Sequence, residues 1–246
     1  MKLSIFKFGG FILIFMLLTL CFGLNFSFAK VNNKGIVVNT LNLKENNKRI
    51  EFDFKYPEVK MGNEHVQNKI NILIKGDIYE FKKYIEDIYN ESINIYPEEI
   101  VKTSPSFNYK GMSTFDYEIV DNILSLRVTL IQFTSGAHPM AFVKNYNFDL
   151  NTGEVLKIED IFNEEGKKNY KEVIDKIILD KMNEIPENYF IDDFKGIGDN
   201  VQYYLTKDDI VIFFQLYEIA PYSAGIPEFK IPYSVFKDEL IIDNLK

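Results

Sequence analysis

Val66, Ile70, Ile74, Ile78, Phe81, Ile85 and Ile88 follow one another at steps of 4, 4, 4, 3, 4 and 3 residues. Only an α-helix gathers positions at this spacing onto one face. The pattern predicts a long helix from an N-cap at Asn63, with Glu64 in its first turn, to about Asn90. So long an apolar stripe needs an extended apolar partner, and a β-sheet face supplies one. Burying each large stripe residue contributes about 1.5–3 kcal/mol. That outweighs the cost of about 1 kcal/mol that Gly76 imposes inside the helix.

The flanking sequence supplies candidate strands. Gly35–Leu43 and Arg49–Tyr56 alternate in polarity around an Asn46–Lys48 turn and read as a hairpin closed by Pro57. Ser92–Lys110 carries Pro97 and Pro105 and reads as short extended pieces. Met112–Val120 and Ile123–Phe133 form a hairpin around Asp121-Asn122, and Ala141–Leu150 continues it, with Phe142, Tyr146 and Phe148 on one parity. Asn151-Thr152-Gly153 then turns the chain into a further strand, Glu154–Ile158. Lys167–Asn183 reads as a second amphipathic helix, with Tyr170, Val173, Ile174, Ile177 and Ile178 inward and Pro186 as its stop. Val201–Leu205, Ile210–Gln215 and Glu228–Pro232 read as strands, and Ser234–Leu240 as a short closing helix capped by Ser234. The expected class is α+β, with antiparallel sheets and two main amphipathic helices packed on sheet faces.

The first residues have the layout of an export signal. Lys2 and Lys7 precede an apolar run from Phe8 to Phe22, and Ser27 and Ala29 are the small residues of a cleavage site. Residues 1–29 are therefore expected to be a signal peptide. The alternative is an uncleaved anchor, and lipidation of Cys21 is disfavoured because Leu18-Thr19-Leu20 lacks a small residue before the cysteine. Cleavage leaves 217 residues with net charge −10, since the leader holds two lysines and no acids. The remaining chain has no cysteine, so neither disulfides nor thiolate metal sites are expected. The acidic balance argues against nucleic acid and anionic lipid and suits a cationic partner. Membrane attachment is expected only through a retained leader, and the oligomeric state stays open.

Two loops stand out as candidate sites. The first is Tyr217-Glu218-Ile219-Ala220-Pro221-Tyr222-Ser223-Ala224-Gly225-Ile226-Pro227, between two strands. Pro221 and Pro227 stiffen it, Gly225 suits a left-handed backbone, and Tyr217 and Tyr222 can present amphipathic surface at low entropic cost. Read structurally, the same tyrosines pack inward. The second loop holds Ser135, Gly136, Ala137, His138 and Pro139. There Gly136 would let the backbone approach a partner and His138 would offer a donor or acceptor; the other reading has His138 bonding its own loop.

Other chemistries find little support. His65 and His138 are the only histidines; His65 sits on a helix surface, and Asp192-Asp193 lacks the spacing of a calcium loop. No metal ligand set and no cofactor are expected. No Gly-x-Ser-x-Gly elbow and no phosphate-cradling glycine loop occur. Glu218 could serve as a general acid only inside a tyrosine pocket and with a second carboxylate.

The strings Tyr217–Gly225, Gly136-Ala137-His138-Pro139 and Tyr146-Asn147-Phe148-Asp149-Leu150-Asn151-Thr152-Gly153 resemble a bacterial extracytoplasmic domain of unknown function. The same blocks resemble the lysozyme-sensing extracellular region of RsiV-type anti-sigma factors and the non-catalytic N-terminal region of PdaC-type peptidoglycan deacetylases. Tyr56-Pro57 and Lys69-Ile70-Asn71 fit the upstream block. The resemblance spans about Gly35 to Leu240. It implies an N-terminal block, 30–150, like the PdaC region and a C-terminal block, 151–246, like the RsiV region. Too few residues precede the apolar segment for a sigma-binding domain, and the metal motifs of a deacetylase are missing, so neither activity carries over. Ser135 stands where the family often has another glycine.

The resemblance thus implies a secreted or surface-associated binding module without catalysis, recognising a cell-wall-related or lysozyme-like partner. Its expected binding residues are Tyr217, Glu218, Pro221, Tyr222, Gly225, Ser135, Gly136 and His138. The rival readings are a cell-wall glycan hydrolase using Glu218 as acid and a purely structural envelope protein.

Overall fold

The structure is a computed structural model that describes residues 35–47 and 49–242; the expected signal peptide lies outside these residues. Strand β1 (Val37–Asn47) forms an antiparallel hairpin with β2 (Ile50–Lys60). Helices α1 (Glu64–Ile95) and α2 (Glu98–Thr103) then carry the chain over to β3 (Tyr109–Val120), which runs parallel to β2 from Ile50↔Tyr109 to Phe54↔Ser113. Strands β4 (Ile123–Phe133) and β5 (Met140–Asp149) complete an otherwise antiparallel five-stranded sheet in the order β1-β2-β3-β4-β5. Helix α3 (Gly166–Glu184) precedes a three-stranded antiparallel sheet of β6 (Tyr203–Leu205), β7 (Asp209–Phe213) and β8 (Glu228–Pro232). The class is α+β, with two sheets and two main helices.

Helix α1 forms for the reasons its sequence offers. The Asn63 side chain accepts the Val66 N–H, and the stripe from Val66 to Ile85 is buried, with Ile88 packed against the same core. Gly111 of β3 lets the helix close on the sheet: a Cβ there would lie 2.7 Å from Ile85 Cδ1 and 2.9 Å from Phe52 Cδ1. Asn71, on the flank of α1, gives its amide to β2. Its Nδ2 donates to Val59 O and its Oδ1 accepts Val59 N–H, each at 2.8 Å. This explains why Pro57 does not close the hairpin but lies inside β2, opposite Thr40. Pro57 shares the parity of Val59, which faces away from β1, and β3 has already ended its pairing at Phe54. No ladder bond is lost for want of its N–H.

Other expectations need correction. Residues 92–107 are largely helical rather than extended, and the strand begins only at Tyr109. Helix α1 runs on to Ile95, Pro97 occupies the N-cap of α2 with Glu98 and Glu99 in its first turn, and Val101 and Phe107 are buried. Glu154–Ile158 makes only a single bridge, Phe148↔Val155, before a 3-10 turn at Ile158–Ile161. Phe142 does not join Tyr146 and Phe148 in the core but is 39% exposed. The closing segment is two 3-10 turns, Tyr233–Val235 and Lys237–Glu239, with Pro232 rather than Ser234 at the first N-cap.

The described residues form two apolar cores. The first lies between α1 and the five-stranded sheet. The second gathers Tyr170, Ile174, Ile178 and Met182 of α3 with Ile210, Ile212, Phe229 and Ile231 of the small sheet, and takes in Val120 and Ile123 from the β3–β4 hairpin end. Polar side chains join the two sheets. Asn147 is fully buried and Ser125 is 2% exposed. Ser125 Oγ donates to Asn147 Oδ1 at 2.7 Å and accepts Leu205 N–H at 2.7 Å. Asn145 and Asn147 donate their amides to Tyr203 O at 2.7 and 2.9 Å. The open edge of β6 is thus hydrogen-bonded by side chains of β4 and β5. Arg127 adds a clamp at the rim, pairing with Asp116 and Glu228 and lying 4.7 Å over the Tyr204 ring.

Ile78→Asp should place an unpaired charge beneath α1 and lower stability by several kcal/mol. An unchanged melting midpoint would contradict the burial of the stripe. Asn71→Ala should cost about 1–3 kcal/mol by leaving the Val59 N–H without a partner, measurable by urea unfolding.

Candidate functional site

The two candidate loops leave different sheets, and one glutamine holds them together. Gln215 follows β7. Its Oε1 accepts Val143 N–H at 3.0 Å and its Nε2 donates to Val143 O at 2.8 Å, so its amide continues the β5 ladder. Val143 lies just beyond the loop 134–139 that leads into β5. The segment 216–227 therefore starts beside the loop that carries His138. Ile219, Ala220 and Pro227 are buried and root this segment, while Tyr217 and Glu218, just before them, are exposed.

The loop backbone is tightly specified. Glu218 N–H donates to Gln215 O at 3.1 Å, and Glu218 Oε2 accepts Gln215 N–H at 2.8 Å. This turn puts Tyr217 at φ 68°, a left-handed conformation that costs a tyrosine free energy. Pro221 (φ −68°) starts a 3-10 turn over Tyr222–Ala224, closed by Gly225 at φ 73°, ψ −152°. That region is open essentially to glycine alone, as the sequence suggested for Gly225. In the facing loop the left-handed residue is Ser135, at φ 71°. The position before Gly136 therefore needs a glycine-like backbone and carries a serine.

The tip of the site is an aromatic cluster. The His138 ring stacks on Tyr222 with centroids 3.9 Å apart and planes 28° apart. The Tyr217 hydroxyl lies 3.2 Å from His138 Nε2, and the Tyr217 ring is 5.8 Å from that of Tyr222. His138 Nδ1 is 3.0 Å from Pro139 O, and the Tyr222 hydroxyl donates to the same carbonyl at 2.9 Å. His138 thus bonds its own loop and the opposite one together. Tyr222 is half-buried as a tie between the loops, and Tyr217, 49% exposed, is the ring turned to solvent.

Of the expected site residues, His138, Tyr217 and Tyr222 touch one another. Ser135 and Gly136 are exposed in the same loop, and Pro221 and Gly225 shape the turn that carries Tyr222. Glu218 is exposed and its carboxylate closes its own turn; it does not sit in a tyrosine pocket. Behind the loop a hollow of about 300 Å³ is lined by Glu187, Asn188, Tyr189 and Ser223, among others. Among the described residues no group of three or more His, Cys, Asp or Glu is placed to hold a metal ion. Also among them, no helix is long and apolar enough to cross a membrane. Sequence reasoning missed Gln215, whose only signal was a polar side chain directly after an apolar strand.

Gly225→Ala would meet no neighbouring atom within 4 Å, so its whole effect is backbone strain. It should cost about 1–3 kcal/mol, and Ser135→Gly should be tolerated or mildly stabilising. Chemical unfolding of both variants checks the pair of expectations.

Residues 159–234 match the model of a protein family of unknown function, DUF3298, and residues 43–141 match the model described as Deacetylase PdaC. Anti-sigma-V factor RsiV of Bacillus subtilis is 28% identical over 218 residues, covering 82% of this chain and 69% of that protein. A crystal structure of a DUF3298 family member from Bacteroides fragilis superposes with a TM-score of 0.59 at 20% identity, covering 85% of this chain and 95% of that one. A DUF3298 family protein from Pseudomonas aeruginosa gives 0.55 at 15% identity, covering 87% and 97%. The chain therefore combines a PdaC-like region with a DUF3298-like region and resembles RsiV across both, which is the resemblance its motif blocks imply.

Proposed function

We propose that this protein is an extracytoplasmic, non-catalytic binding module that recognises a lysozyme-like or cell-wall-related partner through the cluster of His138, Tyr217 and Tyr222. The observation that carries the reading is that motifs about eighty residues apart in sequence meet in one exposed aromatic cluster. Left-handed backbone at Ser135 and Tyr217, on both sides of the cluster, supports it, because such conformations concentrate at functional sites. The likeness to RsiV and to the PdaC model supports an extracytoplasmic setting. On this reading the N-terminal leader exports the chain, and blocks 30–150 and 151–246 act together, since each contributes one loop to the cluster. Ser135, Gly136, Pro221 and Gly225 shape those loops. Glu218 holds the Tyr217 turn and takes no part as an acid.

Calorimetry with a C-type lysozyme and pull-down with purified peptidoglycan test the proposal. Tyr217→Ala should weaken binding at least about thirtyfold, equivalent to about 2 kcal/mol, and leave the melting midpoint nearly unchanged because the ring is half exposed. Tyr222→Ala should lower both binding and stability. Binding to neither probe would remove the proposal. Peptidoglycan turnover lost in Glu218→Gln would replace it with the hydrolase reading.

A further inference from the structure

One carbonyl oxygen fixes the donor and acceptor roles in the aromatic cluster. Pro139 O can only accept, so His138 Nδ1, 3.0 Å away, carries a hydrogen. In the neutral imidazole Nε2 is then a bare acceptor, and the Tyr217 hydroxyl at 3.2 Å donates to it. The Tyr222 hydroxyl also spends its hydrogen inward, on Pro139 O at 2.9 Å. Both phenols therefore show a partner only lone pairs. Neither loop adds a cation: residues 134–139 hold no charged side chain, and residues 216–227 hold only Glu218.

We infer that with His138 neutral this cluster is a hydrogen-bond-acceptor surface for a cationic side chain, arginine or lysine, of a protein partner, and that protonation of His138 reverses its polarity. The inference rests on the binding site proposed above and names the chemistry it selects. A proton on Nε2 makes that nitrogen a donor to Tyr217 Oη, so the phenol hydrogen swings outward. The ring, stacked 3.9 Å from Tyr222, also becomes a positive charge facing the incoming cation. The titratable groups of the two loops are His138, the Tyr217 and Tyr222 phenols, and the Glu218 carboxylate, which is bound to Gln215 N–H. Affinity for a cation is thus present while His138 is neutral and lost when it is protonated.

Imidazole nitrogen NMR on the full chain at pH 7.5 tests the first step without any partner. The expected form of His138 has hydrogen on Nδ1; hydrogen on Nε2 would overturn the inference. Millimolar Nα-acetyl-arginine amide should shift the His138 and Tyr217 signals at pH 7.5, and Nα-acetyl-glutamate amide should not. Equal shifts by both probes would overturn it. Lysozyme should bind at least about tenfold more weakly at a pH where the same imidazole signals show His138 protonated than at one where they show it neutral. His138→Phe, which keeps an aromatic ring on Tyr222, should abolish that dependence. The same pH dependence in both proteins would overturn the inference. Lysozyme binding at neither pH would remove the partner proposed above, while the tautomer and small-probe results would still decide this one.

Discussion

The architecture depends on a buried polar junction. Asn147, without exposed surface, and Ser125 are buried where the five-stranded sheet meets the edge of β6. A buried amide or hydroxyl without a partner costs about 1–3 kcal/mol, so this junction is stabilising only when complete. It is complete: Ser125 is both donor and acceptor, and Tyr203 O takes two amide hydrogens. Burial also pushes the Tyr203 phenol well above its ordinary pKa, with Asp160 adding to the effect, so the hydroxyl stays protonated and donates to Leu156 O. Apolar surfaces can slide over one another; directional bonds of this kind fix one register between the sheets.

Side-chain amides solve the same problem elsewhere. Asn71 completes β2 where β3 departs, and Gln215 completes β5 beside the small sheet. Each satisfies a strand edge that would otherwise expose paired backbone groups. Gln215 has a second consequence. It ties the end of β7 to the start of β5, and the two loops that flank these points are thereby brought face to face. The His138–Tyr222 stack follows from that tie, and so does the exposure of Tyr217 on a strained turn. A hydrogen-bonded junction between sheets thus ends in an aromatic cluster whose rings are held by bonds to both loops.

Much of this was legible from the order of residues, because helix and strand patterns are local. The stripe from Val66 to Ile88 specified α1 and its buried face, and Asn63 specified its start. Alternation and the Asp121-Asn122 turn specified the β3–β4 hairpin, and Gly225 announced its left-handed backbone before any coordinate. Short segments were less legible. Ser92–Lys110 carries two prolines, and proline stops a helix in one position but starts it in another. The structure chose the second because Val101 and Phe107 reach the core.

The candidate site divides the same way. Sequence singled out both loops and the residues that belong to them, because proline, glycine and tyrosine act on the backbone and surface locally. It left open whether the tyrosines faced inward or outward and whether His138 served its own loop or a partner. Tertiary structure turned Tyr217 outward, set Tyr222 between the loops and bonded His138 to both of them, since that arrangement depends on Gln215 and Val143, which are 72 residues apart. The parallel pairing of β2 with β3 was hidden for the same reason: strand periodicity is blind to strand direction, and the long crossover through α1 sets it. What sequence determines here is what neighbouring residues do to one another. What the fold decides is which distant hydrogen-bonding groups must satisfy each other once water is excluded.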